Sequence, residues 1–252
     1  MIAIKDMIVA FDRKVILDGI SLDVSEGQTI VVLGKNGSGK SVLLKAVAGL
    51  VETYGGTISI NGSGITEFYS SRETHEEESI EDFRLAYVFQ KGGLFDSMNV
   101  FDNVAFGLRR MGVGEEEVKA RVASAIARVG LAGNDNKLPS ELSGGMQKRV
   151  GLARATCMNP NIILYDDPTA GLDPILSDSI ADLILEFRDT MKTTSMVVTH
   201  DLKVAEKVAD SIALLYGGKI VFQGKGEEFF AMDDEYTSQF VEGDIEGPID
   251  IF

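Results

Sequence analysis

The eight residues 34–41 read Gly-Lys-Asn-Gly-Ser-Gly-Lys-Ser, which places three glycines, two lysines and two serines in one short segment. The segment follows the apolar run 29–33 and precedes a stretch of helical composition that begins at Ser41. A glycine-rich turn between a strand and a helix directs successive backbone N–H groups at one point, and the helix dipole adds to the attraction for an anion. Lys40 can then reach the β- and γ-phosphates of a nucleotide, and the Ser41 hydroxyl can hold Mg²⁺. The segment predicts that the chain binds a nucleoside triphosphate.

A pair of carboxylates follows another apolar run. Residues 161–165 read Asn-Ile-Ile-Leu-Tyr and lead directly into Asp166 and Asp167. In a protein with a phosphate-binding loop, a carboxylate at such a strand end can position Mg²⁺ through water, a role that fits Asp166. The next carboxylate can orient the water that attacks the γ-phosphate. The alternative is a strand that ends in a solvated turn.

A third segment, Leu-Ser-Gly-Gly-Met-Gln at 142–147, has the pattern of a helix start. Ser143 is predicted to cap the helix, and the two glycines leave backbone amides open to an approaching anion. Capping alone does not explain a Gly-Gly pair in the first turn, because each glycine costs about 1 kcal/mol relative to alanine. The segment therefore predicts a second contact with a phosphate group.

Composition and charge disfavour several classes of protein. The chain has 252 residues, of which 44% are apolar, and no apolar run approaches the ~20 residues that span a bilayer. A net charge of −15 argues against nucleic acid as the main partner and against direct adsorption to an anionic membrane. The N-terminus reads as a strand and not as a secretion signal. Cys157, the single cysteine, reads as a small buried apolar residue on a helix, so we expect a reducing, cytoplasmic compartment.

The order of elements predicts a mostly parallel sheet covered by helices, because apolar strand candidates alternate with helix candidates. Three runs lack polar alternation and are typical of central strands buried on both faces: 29–33, 161–165 and 195–199. Three others indicate an antiparallel fringe: 2–9, 14–24 and 57–60. We expect turns at Asp18-Gly19 and Asn61-Gly62.

The pattern becomes helical between residues 92 and 150. Apolar residues recur at helical spacing in one part of it: Val118, Val122, Ile126 and Val129. Another part carries too many large apolar residues for a free loop: Phe95, Met98, Val100, Phe101, Val104 and Phe106. We expect some of these to pack an inserted helical lobe and others to line a groove that accepts a helix of a membrane partner.

Segment 142–147, together with the run Asp-Asp-Pro-Thr-Ala-Gly-Leu-Asp-Pro at 166–174, resembles the ATPases of ABC transporters. The resemblance covers nearly the whole chain. It implies an α/β fold of the P-loop NTPase class, with a RecA-like core, an antiparallel β lobe and a helical lobe at about 91–150. It implies a nucleotide-binding domain at 1–226 and an acidic C-terminal extension at 227–252. In that family two ATPase subunits enclose two ATPs, each between the phosphate-binding loop of one subunit and the signature segment of the other.

The resemblance also implies roles for single residues. Gln90 matches the glutamine that contacts Mg²⁺ and the attacking water, His200 matches the histidine that hydrogen-bonds the γ-phosphate, and Phe11 matches the aromatic that stacks on adenine. From the residues alone, a surface glutamine, a helix-start histidine and a core phenylalanine remain alternatives. The implied catalytic set is Gln90, Asp167 and His200, and the implied metal set is Ser41, Gln90 and Asp166. The implied ATP-binding set is Phe11, Gly34, Lys35, Asn36, Gly37, Ser38, Gly39, Lys40, Ser41 and Val42.

The implied contacts with the second subunit lie in two segments. The signature residues Ser143, Gly144, Gly145 and Met146 would contact the partner's ATP, with methionine standing where the family usually has glutamine. Asp173 would lie in the loop that crosses the dimer interface.

One position departs from the family, which places glutamate where this chain has Asp167. The missing methylene retracts the carboxylate by on the order of 1.5 Å, one C–C bond. Misplacing a catalytic group by about 1 Å can cost roughly 100-fold in rate. Either hydrolysis is slow, or a small backbone adjustment restores the reach.

Residues 90–106 look like the corresponding segment in the ATPases of MCE/Mla-type lipid transporters, as do the segments 39–45, 164–175 and 239–249. This branch implies an ATPase that uses ATP and Mg²⁺, works as a homodimer, and powers the transport of phospholipid or other hydrophobic cargo. Its partners would be an MlaE-like integral-membrane permease and an MCE-domain lipid-binding protein, at the cytoplasmic face of the inner (plasma) membrane. The alternatives are the ATPase of an amino-acid importer and a nucleotide-binding regulatory subunit with very slow turnover.

Two acidic stretches remain, 73–82 and 227–250. We expect a solvated loop and a tail. The tail has apolar anchors at Phe229, Phe230, Phe240 and Ile245. Docking of the tail on the neighbouring subunit and a free tail remain alternatives.

Overall fold

The computed structural model describes residues 2–65, 84–232, 234–244 and 246–249. The chain forms two compact units, the terminal unit (Met1–Glu81 with Thr194–Phe252) and the middle unit (Asp82–Thr193). The acidic stretch 73–82 and the tail residue Ile245 lie outside the described residues. Among the helices in the described ranges, none has the length and apolar character needed to span a membrane.

The terminal unit combines an antiparallel sheet with a mainly parallel one. Its strands are β1 (Ile2–Phe11), β2 (Lys14–Val24), β3 (Thr29–Leu33), β4 (Gly55–Ile60), β5 (Ser63–Gly64), β8 (Thr194–Thr199), β9 (Ser211–Tyr216) and β10 (Lys219–Lys225). Its helices are α1 (Lys40–Val47), α6 (Leu202–Val208), α7 (Gly226–Ala231) and α8 (Glu235–Glu242).

The antiparallel sheet has the strand order β2-β1-β4-β5. Apolar side chains along β1 are buried, among them Ile2, Ile4, Met7 and Val9, while Lys5 and Asp6 between them are exposed. This pattern is typical of a sheet with one face on a core and the other in water. The predicted antiparallel fringe is confirmed.

The turn predicted at Asp18-Gly19 is wrong, because β2 runs through both residues without a break. Between the pairs Met7–Ile20 and Val9–Leu17 the register shifts by one extra residue on β2. Gly19 has φ of 70°, as expected where a glycine allows a β-bulge. The turn that joins β1 to β2 instead uses Asp12 and Arg13, with φ of 48° and 67°. The turn predicted at Asn61-Gly62 is confirmed, with φ of 50° and 86°.

Strand β3 lies between β8 and β9 and pairs in parallel with both. All five residues of β3 and all six of β8 are buried, which explains why these runs lack polar alternation. Strand β10 pairs antiparallel with β9. These strands of the terminal unit therefore form a sheet whose central strand leads directly into residues 34–41.

The described part of the acidic tail is folded within the terminal unit. Phe229 in α7 is buried and meets the ring of Phe222 on β10 edge to face at 5.2 Å. Further along, the Gln239 amide donates to the Ile249 carbonyl at 3.1 Å and accepts from the Ile249 N–H at 2.7 Å. Both side chains are buried. The tail thus has anchors on its own subunit.

The middle unit contains the parallel pair β6 (Leu85–Val88) and β7 (Ile162–Asp166). Its helices are α2 (Val100–Arg110), α3 (Glu115–Arg128), α4 (Gly144–Cys157) and α5 (Pro174–Met191), with a short 3₁₀ turn at Pro139–Glu141. Helices α2, α3 and α4 pack against one another.

The predicted apolar face of α3 is confirmed, since the side chains at its helical spacing are all buried: Val118, Val122, Ile126 and Val129. Cys157, the last residue of α4, is buried as predicted. Burial raises the pKa of its thiol to about 11, so it behaves as an apolar residue and not as a reactive thiolate.

Candidate functional site

Two glycines in the loop after β3 lie so close to neighbouring atoms that no side chain would fit there. A Cβ atom on Gly34 would lie 2.5 Å from the backbone oxygen of Leu215 and 2.8 Å from Ser38 Oγ. One on Gly39 would lie 2.8 Å from Leu17 Cδ2, and the φ of 104° at Gly39 also disfavours a side chain. The glycines therefore allow a tight loop between β3 and the start of α1. The strand, turn and helix follow one another as predicted.

Two features of this loop suit an anionic ligand. Gly39 is the N-cap residue of α1 and supplies no side-chain acceptor to the first turn of the helix, whose dipole attracts an anion. The hydroxyl of Ser38 is buried and makes no hydrogen bond with the described part of the chain. Buried polar groups normally have partners. Phosphate oxygens would satisfy such groups.

Lys40 supplies the positive charge of the loop. Its Nζ donates to the carbonyl oxygens of Gly34 at 2.7 Å and Lys35 at 2.9 Å, and its side chain is buried. The ammonium group is thus held over the loop backbone. A cation in this low-dielectric position attracts a polyphosphate more strongly than a solvated lysine would.

His200 follows β8 at the same sheet edge as the loop. Leu33 pairs with Thr199, so Gly34 and His200 are the next residues after two neighbouring parallel strands. His200 is exposed, and the helix that follows it is capped by Asp201, whose carboxylate accepts from the N–H groups of Lys203 and Val204. Because Asp201 caps the helix, His200 is not needed for that purpose.

Phe11 lies at the end of β1 and is 45% exposed. The alternative of core packing is therefore wrong for this residue. An exposed aromatic ring beside a turn is available to stack on a planar ligand. Its contact with adenine stays a prediction.

The carboxylates of Asp166 and Asp167 are not solvated. Asp166 is the last residue of β7, and each side chain is only 6% exposed. Asp167 has φ of 45°, in the left-handed region where Asp is one of the few enriched non-glycine residues. The alternative of a solvated turn is wrong. A buried pair of carboxylates concentrates negative charge at the end of this strand.

Two side chains that the sequence did not single out contact this pair. The Tyr87 hydroxyl donates to Asp166 Oδ2 at 2.8 Å. Burial raises the pKa of Tyr87 far above its ordinary value, and the charge of Asp166 raises it further, so the hydroxyl remains a donor. Lys148 on α4 donates from Nζ to the Pro168 carbonyl at 3.0 Å and lies 3.5 Å from the Asp167 carbonyl. Burial lowers the pKa of Lys148, and Asp167 partly offsets this.

Gln90 lies two residues beyond the end of β6 and is exposed. Strand β6 pairs in parallel with β7, with Val88 opposite Tyr165. Gln90 and Asp166 therefore lie at the same ends of two neighbouring strands within the middle unit. Exposure agrees with a surface residue as well as with a ligand contact, so its role stays a prediction.

The signature segment forms the start of α4. Ser143 is the N-cap residue, and its Oγ accepts from the Met146 N–H at 3.3 Å, which confirms the predicted cap. Ser143 and Gly144 are exposed. A Cβ atom on Gly145 would lie 3.1 Å from Leu176 Cδ1, so this glycine also serves the packing of α4 on α5. The exposed helix start leaves backbone N–H groups accessible to another molecule.

Asp173 caps α5 and is exposed. Its Oδ1 accepts from the N–H groups of Ile175 and Leu176, both at 3.0 Å. Ile175 beside it is 82% exposed, which is unusual for a large apolar side chain. This part of the middle unit presents apolar surface that a partner could cover.

The donor groups present fit Mg²⁺. The sequence-derived ligands are the hydroxyl of Ser41, the amide of Gln90 and the carboxylate of Asp166, all oxygen donors of the kind that Mg²⁺ prefers. No group of three or more His, Cys, Asp or Glu side chains that could hold a metal occurs in the described ranges. Mg²⁺ commonly binds through one or two carboxylates together with phosphate and water.

Known proteins resemble this chain along most of its length. A sequence profile of the family described as ABC transporter matches residues 17–170. The protein TRIGALACTOSYLDIACYLGLYCEROL 3, chloroplastic, of Arabidopsis thaliana is 38% identical, over 99% of this chain and 75% of that protein. The intermembrane phospholipid transport system ATP-binding protein MlaF of Haemophilus influenzae is 34% identical, over 99% of this chain and 93% of that protein. A probable ribonucleotide transport ATP-binding protein, mkl of Mycobacterium leprae, is 37% identical, over 98% of this chain and 70% of that protein. Other relatives are named for glycine betaine/carnitine transport or for Fe(3+) import.

A solved structure shares the fold. The dimeric ATP-binding cassette MJ0796, in a post-hydrolysis state bound to ADP and Pi, matches this chain with a TM-score of 0.79. The two chains are 27% identical, and the match covers 89% of this chain and 98% of that chain. Cassettes of this family dimerise and pair with membrane permeases. We conclude that the chain belongs to the ABC transporter family, as a subunit that binds ATP with Mg²⁺ and hydrolyses it.

Proposed function

We propose that this ATPase powers the transport of phospholipid or other hydrophobic cargo through an MlaE-like permease that works with an MCE-domain protein. The observation that carries this proposal is the 34% identity with MlaF over nearly the full length of both chains. MlaF is named for intermembrane phospholipid transport. The alternative is another cargo, such as an amino acid derivative, because a relative of Listeria monocytogenes named for glycine betaine/carnitine transport is 39% identical over 88% of this chain.

In the proposed nucleotide site, the loop amides and Lys40 bind the phosphates and Phe11 stacks on adenine. Ser41, Gln90 and Asp166 hold Mg²⁺, which supplies positive charge to the phosphate oxygens. The buried ammonium of Lys40, held over the loop backbone, supplies positive charge for the phosphates and supports this assignment. The buried hydroxyl of Ser38, which makes no hydrogen bond with the described part of the chain, supports it as well.

Asp167 is the proposed group that orients and activates water, together with Gln90 and His200. Its burial supports a catalytic role, because a carboxylate shielded from bulk water interacts more strongly with neighbouring groups than a solvated one. Because the aspartate side chain is shorter than that of glutamate, its carboxylate is held farther back and hydrolysis would be slow. A nucleotide-binding regulatory subunit with very slow turnover is therefore the second candidate function.

The proposed partner in catalysis is a second copy of the chain. The segment Ser143, Gly144, Gly145 and Met146, whose first two residues are exposed, would contact the γ-phosphate held by that copy, and Asp173 would lie at the interface. Ile175, 82% exposed, would be covered there. Burial of such an apolar side chain favours association.

The proposed permease contact is an aromatic patch formed by Phe95 and Phe106, each roughly two-fifths exposed. The rings of Phe95 and Phe106 lie 4.7 Å apart. Asn103 holds the chain beneath them, since its amide accepts from the Phe95 N–H and donates to the Phe95 and Met98 carbonyls. A patch held in place by a buried side chain suits the docking of a helix. This contact would hold the subunit at the cytoplasmic face of the inner membrane.

The test is isolation of the native membrane complex through a tag on this chain, followed by identification of its proteins and its bound small molecules. Co-purification of an MlaE-like permease and an MCE-domain protein with bound phospholipid is the expected result. A permease with a periplasmic binding protein for amino acids or betaine would contradict the lipid proposal. Measured ATP turnover in the same complex separates a transport motor from a regulatory subunit.

A further inference from the structure

Tyr87 is placed to act on the proposed magnesium ligand. It is the third residue of β6, and Asp166 is the last residue of the neighbouring parallel strand β7. The Tyr87 hydroxyl donates to Asp166 Oδ2 at 2.8 Å, an ordinary hydrogen-bond length. The Tyr87 ring packs against Phe89, with ring centroids 4.5 Å apart. The phenol is thus held by its strand and by a neighbouring ring.

A hydrogen bond of this kind restricts the acceptor. A carboxylate has two oxygens with about four lone-pair sites, and its terminal torsion is broad when nothing fixes it. A donor on Oδ2 fixes the plane of the Asp166 carboxylate and with it the direction in which Oδ1 points. Removal of a group that orients a metal ligand in this way typically lowers the metal affinity by about tenfold or more.

We propose that Tyr87 is a positioning residue for magnesium, which holds the Asp166 carboxylate in the orientation that binds Mg²⁺ or its water. This inference rests on the proposed role of Asp166 as a magnesium ligand. Tyr87 touches neither nucleotide nor metal in this scheme and acts through Asp166 alone.

The test is the magnesium dependence of nucleotide binding to the full-length protein. A fluorescent, non-hydrolysable ATP analogue is titrated with the protein at a series of Mg²⁺ concentrations and in EDTA. Tyr87→Phe retains the ring that packs on Phe89 and removes the hydroxyl alone. We expect the Mg²⁺ concentration for half-maximal enhancement of binding to rise about tenfold, while the affinity in EDTA stays within about twofold.

Three further variants make the result specific. Asp166→Asn should raise the same half-maximal Mg²⁺ concentration, and adding Tyr87→Phe to it should produce no further rise, because the two residues act through one contact. Tyr54→Phe removes a hydroxyl from a side chain that is 77% exposed and serves as the matched control, with no change expected.

The outcomes separate the two proposals. If Asp166→Asn raises the Mg²⁺ requirement and Tyr87→Phe does not, the positioning role of Tyr87 is overturned while the role of Asp166 stands. If Asp166→Asn has no effect on the Mg²⁺ requirement, the role of Asp166 and the inference built on it both fail. Equal weakening by Tyr87→Phe in EDTA and in Mg²⁺, or an additive effect on top of Asp166→Asn, identifies a purely structural tyrosine and also overturns the inference.

Discussion

Replacing Asp167 by glutamate tests whether the proposed catalytic carboxylate is held short of the attacking water. The side chain is 6% exposed, and the backbone has φ of 45°. The carbonyl of the same residue accepts from the Ala170 N–H at 3.1 Å, and Lys148 donates to the next carbonyl at 3.0 Å. The backbone that carries the new side chain is therefore fixed, so the added methylene lengthens the side chain from an unchanged starting point.

The expected gain in rate follows from this extension. One further C–C bond moves the carboxylate by about 1.5 Å, and a displacement of about 1 Å can change a rate about 100-fold. A hundredfold change equals about 2.7 kcal/mol at 1.36 kcal/mol for each factor of ten. Against this, the left-handed conformation suits aspartate better than glutamate. Both the ground state and the transition state carry that strain, so it lowers stability and leaves the barrier unchanged.

We therefore expect Asp167→Glu to raise ATP turnover of the assembled complex about 10- to 100-fold and to lower the midpoint of thermal unfolding by about 2–4 °C. Turnover is measured at saturating Mg²⁺ and ATP, with ATP affinity measured in parallel. Asp167→Asn, which keeps the length of aspartate and removes its charge, is the control and should abolish turnover. An unchanged or lower rate for Asp167→Glu, with ATP affinity intact, would refute the reasoning and show that the site is built around aspartate.

Three other substitutions have defined outcomes. Phe95→Asp should abolish stimulation of ATPase activity by the permease and leave the affinity for a fluorescent ATP analogue intact, whereas lost ATP binding would mark Phe95 as structural. Burial lowers the pKa of Lys148, so this side chain binds its proton more weakly in the folded protein than in the unfolded chain, where the pKa is 10.5. The free energy of unfolding of the wild type, minus that of Lys148→Met, should therefore rise as the pH increases towards 10.5. Chemical denaturation at several pH values measures this difference, and a fall with increasing pH would contradict the reasoning. Gln239→Ala removes the hydrogen-bond partner of the Ile249 N–H and carbonyl and should speed proteolysis beyond residue 240. A loss of about 1.4 kcal/mol in local stability would raise the cleavage rate about 10-fold. Equal cleavage rates would show that other contacts hold the tail.

Sequence reasoning found the features that are local in the chain. The loop at 34–41, the cap at Ser143 and the buried run at 29–33 each follow from neighbouring residue types, and the structure contains all three. It failed at the first hairpin, because Asp12 and Arg13 adopt positive φ without the glycine that usually signals such a turn. The turn was predicted instead at the pair Asp18-Gly19, where the structure has a β-bulge.

The residues that support the carboxylates were missed for a different reason. Tyr87 contacts a residue 79 positions away, and Lys148 contacts one 20 positions away. Periodicity and spacing describe what lies on one element, and neither predicts which side chains meet across two elements. The one available signal was a polar atom on an otherwise apolar strand, the Tyr87 hydroxyl in Leu-Ala-Tyr-Val. Buried hydroxyls need partners, and a carboxylate at the end of the next strand is within reach.

Helix α4 connects two parts of the proposed machinery. Its N-cap and first turn form the signature segment, and its fifth residue is Lys148, whose ammonium group supports the Asp167–Pro168 backbone. Left-handed backbone at a non-glycine residue persists only where surrounding contacts fix it, and Lys148 is one of those contacts. A loss of activity on changing α4 therefore has two possible origins, one at the signature turn and one at Asp167. Comparison of Ser143→Ala with Lys148→Met distinguishes them, because only the second removes a contact with the Asp167–Pro168 backbone.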